Sequence, residues 1–213
     1  MKHRMILAMA LAVVSPCAQE IWVNEFHYDN TGGDSGEFFE VAVPSSFTDL
    51  SSVTLSLYNG GDQGTYGSHR LDTFSLGSTL GDFSFYSKGI AGIQNGAPDG
   101  FALDLSGSVL QFLSYEGSFT ASSGPASGLS STDLGLSESG STGLGASLGL
   151  AGEGLNYGDF SWTFFASASS GSVNAGQSFS AMPEPHETVL VSALALVGFA
   201  LFRRFRGESA KSA

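Results

Sequence analysis

Short stretches of alternating apolar and polar residues, separated by turn-forming residues, run through most of the chain. At residues 53–57, Val and Leu alternate with Thr and Ser, which is the period of a strand with one buried face. The sequence YNGGD follows at 58–62 and is typical of a turn. The pattern predicts strands at 20–28, 37–43, 52–58, 69–74, 83–87, 100–105, 109–115, 146–150 and 161–166. Many short strands with regular turns indicate an all-β sandwich or barrel.

The second predicted strand contains two adjacent phenylalanines, which must point to opposite faces. Val41 and Val43 share the parity of Phe39, whereas Glu40 shares that of Phe38. We therefore expect Phe39 to lie in the core.

The N-terminus has the layout of a secretory signal, predicted at residues 1–18. Basic residues precede an apolar run at 5–14 and a small-residue zone that includes Cys17. The run is too short to span a hydrocarbon core of about 30 Å. Cleavage after Ala18, or after Cys17, removes the chain's single cysteine, so the exported domain would contain no disulfide. An uncleaved N-terminal anchor is the alternative.

The C-terminal segment, residues 183–213, combines three features in order. Pro183, Glu184 and Pro185 precede an apolar run at 189–202, which we interpret as a single transmembrane helix. The run would form about 21 Å of helix, a marginal span that thinning of the bilayer would accommodate. Three basic residues, Arg203, Arg204 and Arg206, follow it and would stay in the cytoplasm by the positive-inside rule. An amphipathic or buried helix is the alternative.

This arrangement resembles the PEP-CTERM sorting signal of Gram-negative bacteria. The resemblance implies export, transient anchoring in the inner membrane and processing by a membrane transpeptidase called exosortase. The protein would then reach the cell surface or an exopolysaccharide matrix. A C-terminal anchor that stays unprocessed is the alternative.

Charge is distributed unevenly along the chain. Residues 20–182 contain two bases and 17 acids, a net charge of −15. Such a surface repels phosphates, so no direct nucleic-acid binding is expected. Residues 117–145 are rich in Gly, Ser and Thr and are interpreted as a long loop with one short strand, with a linker as the alternative. Residues 167–182 are interpreted as a Ser/Gly linker.

The middle of the chain resembles bacterial lamin-tail domains. The most specific blocks are VNEFHYDN at 23–30 and GDSGEFFEV at 33–41. Further similar blocks are YNG at 58–60, DGFAL at 99–103, QFLSYEG at 111–117, GPA at 124–126, DFSW at 159–162 and VNAGQ at 173–177. The resemblance implies an immunoglobulin-like β-sandwich, assigned to residues 19–166, with no catalytic residues. Bacterial members often accompany secreted nucleases, phosphatases or attachment modules.

A group of acids near the first turn suggests a metal site. Asp29, Asp34, Glu37 and Glu40 lie close to several glycines, and their oxygens are the ligands that calcium prefers. The spacing is not that of an EF-hand, so such a site would bind calcium weakly. The alternative is a solvated hairpin, because Asp favours turns. No other cofactor is expected.

Two further residue types have alternative interpretations. His27 lies among acids and would suit a general base, but no nucleophile motif accompanies it, so a structural role is favoured. Aromatic side chains would stack on sugars or belong to the core; the candidates are Tyr28, Tyr66, Tyr86, Tyr115, Tyr157 and Trp162.

Together these features predict an exported, non-enzymatic module of the cell surface or extracellular matrix. Its expected partners are signal peptidase, exosortase, and exopolysaccharide or other surface proteins. A secreted hydrolase, or a nuclease-accessory domain that depends on calcium, is the alternative.

Overall fold

The computed structural model describes residues 21–180, which fold into two β-sheets with only three short 3₁₀ turns. The chain divides into two compact units, Met1–Phe179 and Ser180–Ala213, and the sheets belong to the first. The strands are β1 Trp22–His27, β2 Phe38–Pro44, β3 Val53–Asn59, β4 Gly64–Arg70, β5 Ser75–Leu80, β6 Phe83–Gly89, β7 Asp99–Leu105, β8 Ser108–Tyr115, β9 Thr132–Asp133, β10 Ser147–Glu153, β11 Phe160–Phe165 and β12 Gln177–Ser178. The predicted all-β sandwich is confirmed at this level.

The two sheets consist almost entirely of antiparallel pairs. The first sheet has the order β11-β10-β1-β2-β6-β5, and the short β12 pairs in parallel with β10. The second has the order β4-β3-β7-β8-β9, with β9 parallel to β8. Strands β1 and β2 are therefore central in the first sheet, and β7 in the second.

The main core lies between the sheets and is rich in aromatic rings. The Phe39 side chain is fully buried and its ring lies 5.2 Å from that of Phe26 and 5.0 Å from that of Phe101, which belongs to the second sheet. Val41 and Val43 belong to the same cluster, so the predicted parity is confirmed. Phe38 does not belong to that cluster, but it is only 6% exposed, so its ring is covered as well.

Strand prediction differs from the structure mainly at residues 64–80. The predicted strand 69–74 is wrong: β4 ends at Arg70, and a 3₁₀ turn occupies Leu71–Thr73. Strand β5 was not predicted. It lies at a sheet edge, and its leucines Leu76 and Leu80 are 58% and 41% exposed, so it lacks the alternation that a buried face imposes.

Residues 167–179, here called the C-terminal strap, fold onto the first sheet. The strap contains β12, and Asn174 within it is only 2% exposed. The sandwich therefore extends to Phe179, beyond the predicted boundary at residue 166, and a linker starting at 167 does not agree with the structure. A Ser- and Gly-rich composition is typical of linkers, but here these residues supply backbone and hydroxyl groups to buried partners.

Several predicted features lie outside residues 21–180: the signal peptide, the sorting motif Pro183–Glu184–Pro185, the helix at 189–202 and the three arginines. Within the described range, no helix has the length and apolar character needed to cross a membrane.

Candidate functional site

Three polar loops meet beside the last residues of β1. They are residues 28–37, 90–98 and 134–142, here called the loop cluster. The Asn95 amide donates to the Asp34 carboxylate at 3.3 Å and joins the first two loops. The third loop is joined to β1 through Glu138, which is 1% exposed.

Glu138 accepts hydrogen bonds from three groups at the end of β1. Its Oε2 accepts from the backbone N–H groups of Tyr28 at 2.6 Å and Asp29 at 3.1 Å. Its Oε1 lies 2.8 Å from His27 Nδ1. The Glu138 backbone N–H in turn donates to the Tyr28 hydroxyl at 2.7 Å. A buried charge needs such partners, so Glu138 fixes the third loop against β1.

His27 is 1% exposed and both of its ring nitrogens have neighbours within hydrogen-bonding distance. Besides Nδ1 against Glu138, Nε2 lies 2.8 Å from the Asn30 amide nitrogen. Burial by itself lowers the pKa of His27, but the hydrogen bond and negative charge of Glu138 outweigh it and raise the pKa above its ordinary value. Because neither nitrogen faces solvent, these contacts fit the structural role of His27 and not that of a general base.

Asn30 completes this arrangement. Its amide nitrogen donates to the Ser35 carbonyl at 2.7 Å and so fixes the first loop. Its Oδ1 is buried without a hydrogen-bond partner.

Of the four predicted calcium ligands, Asp29 and Asp34 lie together in the structure. Glu37 and Glu40 bind other partners. Burial raises the pKa of Asp29, and so do the hydrogen bond and charge of Asp34, while Asn95 opposes the shift. Glu37 instead accepts from the backbone N–H groups of Gly92 at 2.8 Å and Ile93 at 2.7 Å. Among residues 21–180, no group of three or more His, Cys, Asp or Glu side chains is placed to hold a metal ion.

Glu40 lies in a second polar cluster, beneath the C-terminal strap. It is fully buried and accepts from the Asn24 amide at 2.9 Å and from the Gly171 backbone N–H at 2.6 Å. Burial raises the pKa of Glu40 to about 8, although these two hydrogen bonds pull it down.

Glu25, the neighbour of Glu40 across β1 and β2, also binds the strap. Its carboxylate accepts from the Ser169 backbone N–H at 2.9 Å and the Ser147 hydroxyl at 2.6 Å. Burial raises its pKa as well. Local sequence pattern does not reveal this cluster, because members such as Asn24 and Gln177 lie 153 positions apart. The signal available is Glu40, the one charged residue of the otherwise apolar strand β2.

The aromatic residues considered for sugar stacking divide into two groups. Tyr28 and Tyr115 are buried, and their rings stack at 4.0 Å. Tyr66, Tyr86, Tyr157 and Trp162 are half-buried. The Trp162 indole donates to the Tyr157 hydroxyl at 3.0 Å. Only this second group presents ring surface to solvent.

A cleft of about 270 Å³ adjoins the loop cluster and is lined by Asn59, Gln94, Asn95 and Asp99. The Asp99 carboxylate accepts from the backbone N–H groups of Gly60 and Gly96 at 2.9 and 2.7 Å. Its oxygens therefore hold the walls of the cleft together.

No protein-family model matches this chain, and comparisons with curated proteins and with solved structures give no match either.

Proposed function

We propose that the protein is an exported, non-enzymatic module displayed on the surface or in the extracellular matrix of a Gram-negative bacterium. Signal peptidase would remove residues 1–18, and exosortase would process residues 183–213. The sandwich would be immunoglobulin-like, of the bacterial lamin-tail type. Exopolysaccharide or other surface proteins would be its partners.

The observation that carries this proposal is the position of the fold's C-terminal boundary. The sandwich ends at Phe179, and the sorting motif begins at Pro183, immediately beyond it. The strap that precedes the motif is held by Glu25, Glu40 and the β12–β10 pairing. Removal of residues 183–213 would therefore leave every described strand in place.

The loop cluster supports a binding or display role over catalysis. Its histidine and its buried glutamate bind each other and backbone groups, so their chemistry is used to hold loops in position. Loops fixed on a rigid sandwich are a common way to present a binding surface.

Sorting is tested in a host that carries exosortase, with two glutamate variants of the tail. Glu184→Ala alters the Pro-Glu-Pro motif, whereas Glu187→Ala makes the same change just outside it. We expect surface association to be lost in Glu184→Ala and kept in Glu187→Ala, as measured by fractionation and immunoblotting. Equal surface association of both variants would contradict the proposed recognition.

A further inference from the structure

Strand β11 is an outer strand of the first sheet, and one of its edges is unpaired. It pairs with β10 over its whole length, from Phe160↔Gly152 to Phe165↔Ser147. Within residues 21–180, the Phe160 N–H donates to the Tyr157 carbonyl of the preceding 3₁₀ turn, and residues 161–165 form no backbone hydrogen bonds with any segment other than β10. The outward N–H and C=O groups of this strand are therefore available to another strand.

The other outer strands are protected or short. On β5, the Ser78 N–H donates to the Gly171 carbonyl of the strap at 2.7 Å. On β4, the Thr65 N–H donates to the Ser123 hydroxyl at 3.1 Å, and the strand ends with His69 and Arg70. Strand β9 has only two residues, one of them Asp133.

Strand β11 has none of the features by which proteins usually protect an edge. Its sequence is FSWTFF, which contains no charge, no proline and no glycine. Phe164 is 46% exposed. Uncharged strands of high β-propensity readily pair at an exposed edge.

We propose that β11 is a self-association edge, where the β11 strands of two copies pair antiparallel about a two-fold axis. Every residue of β11 is aromatic or carries a hydroxyl, so no register of such a pair sets like charges opposite each other. The rest of the surface is strongly acidic and would attract a basic partner, but this neutral edge offers such a partner no charge. A second copy matches the edge in charge, hydrogen bonding and aromatic content, and two-fold pairing is the commonest symmetry of homo-oligomers.

The pairing has a distinctive salt dependence. Two acidic domains repel each other at low ionic strength, and salt screens that repulsion. Self-association through β11 therefore strengthens with salt. Binding of a basic partner would weaken with salt, so the sign separates the two interactions.

The test is sedimentation equilibrium of residues 19–180 and of the full chain in detergent. It compares about 0.01 M and about 1 M salt, where the Debye length falls from about 30 Å to about 3 Å. We expect both forms to shift from monomer toward dimer as salt rises. Monomers throughout, or larger open-ended aggregates, would overturn the proposal. A dimer of residues 19–180 beside a monomeric full chain would also overturn it, because a segment of the same chain would then cover the edge.

Matched lysine variants locate the interface. In Phe164→Lys each copy places a charge on the edge, and we expect dimerisation to weaken about tenfold or more from the loss of cross-strand contacts in both copies. Ser161→Lys, at another exposed position of β11, is the second variant if Phe164→Lys does not fold. Leu76→Lys on β5 is the control and should dimerise like the unmodified protein. Loss of the dimer in Leu76→Lys with retention in the β11 variants would refute the assignment.

Discussion

The contacts of Glu138 predict that this one side chain determines much of the stability of the loop cluster. In Glu138→Gln the shape is kept, but the charge that faces His27 is lost. One carboxylate oxygen becomes an NH₂ group, which cannot accept from the donors that Glu138 now binds, the backbone N–H groups of Tyr28 and Asp29 and the ring of His27. At least one buried donor is left without an acceptor.

The magnitude follows from the burial of this pair. Hydrogen bonds to charged groups contribute about 1.5–3 kcal/mol each, and removing one partner of a buried ion pair costs about 3–5 kcal/mol. Both side chains of the pair are at most 1% exposed, so solvent gives little compensation. We expect Glu138→Gln to lower the free energy of unfolding by about 3–5 kcal/mol. Glu116→Gln is the control: Glu116 is half-buried and accepts one hydrogen bond, from the Tyr28 hydroxyl at 3.0 Å. The amide oxygen of Gln can still accept that bond, so this change should cost no more than about 1 kcal/mol.

Urea denaturation of residues 19–180 at several pH values measures both effects. The folded state raises the pKa of His27, so the stabilisation from the charged pair is fully present below the unfolded pKa of about 6.5 and is lost as pH rises through the higher folded pKa. The difference between the unmodified protein and Glu138→Gln should therefore shrink as pH rises. A loss no larger than that of Glu116→Gln, or a difference independent of pH, would refute this role for Glu138.

Three further predictions concern the core, the strap and the first loop. Phe39→Ala should lower the free energy of unfolding by about 3–5 kcal/mol, and Phe164→Ala by much less because its ring is half exposed. Equal losses in urea denaturation would contradict the placement of Phe39 in the core. The folded state raises the pKa of Glu40 to about 8 and so favours its protonated form, and the free energy of unfolding should therefore fall as pH rises from about 4.5 to about 8. Glu40→Gln should reduce this dependence of the unfolding free energy on pH. An unchanged pH dependence in Glu40→Gln would contradict the role of Glu40. If Asp29 and Asp34 bind calcium, millimolar calcium should raise the Tm. The stabilisation is equivalent to about 2.7 kcal/mol when the calcium concentration is one hundred times Kd, and Asp34→Asn should abolish it. An unchanged Tm would favour the role of these residues in a solvated hairpin.

The strands that could be predicted from the sequence are those in which burial imposes a pattern. Residues 53–57 alternate because one face of β3 meets the core, and Phe39 shares the parity of Val41 and Val43 for the same reason. Strand β5 has exposed leucines and no such constraint, so its sequence resembles a loop.

Residues that bind through long-range contacts could not be placed from local pattern. Glu138 and Tyr28 are 110 positions apart, and Glu138 lies in a Gly- and Ser-rich stretch that resembles a loop. Its one signal is that it is the sole charged residue between Asp133 and Glu153. The strap has the composition of a linker, and its binding to Glu25 and Glu40 depends on where the folded sheet places those carboxylates, so local pattern cannot reveal it.

Mass spectrometry of the mature protein shows whether the chain is exported and whether its C-terminal tail is processed. The protein would be purified from the medium and from the surface of its host and digested. We expect peptides that begin near residue 18 and continue through the strap to about Phe179, with none containing Arg203, Arg204 or Arg206. Surface protein that still carries these arginines would contradict processing and would indicate a permanent C-terminal anchor.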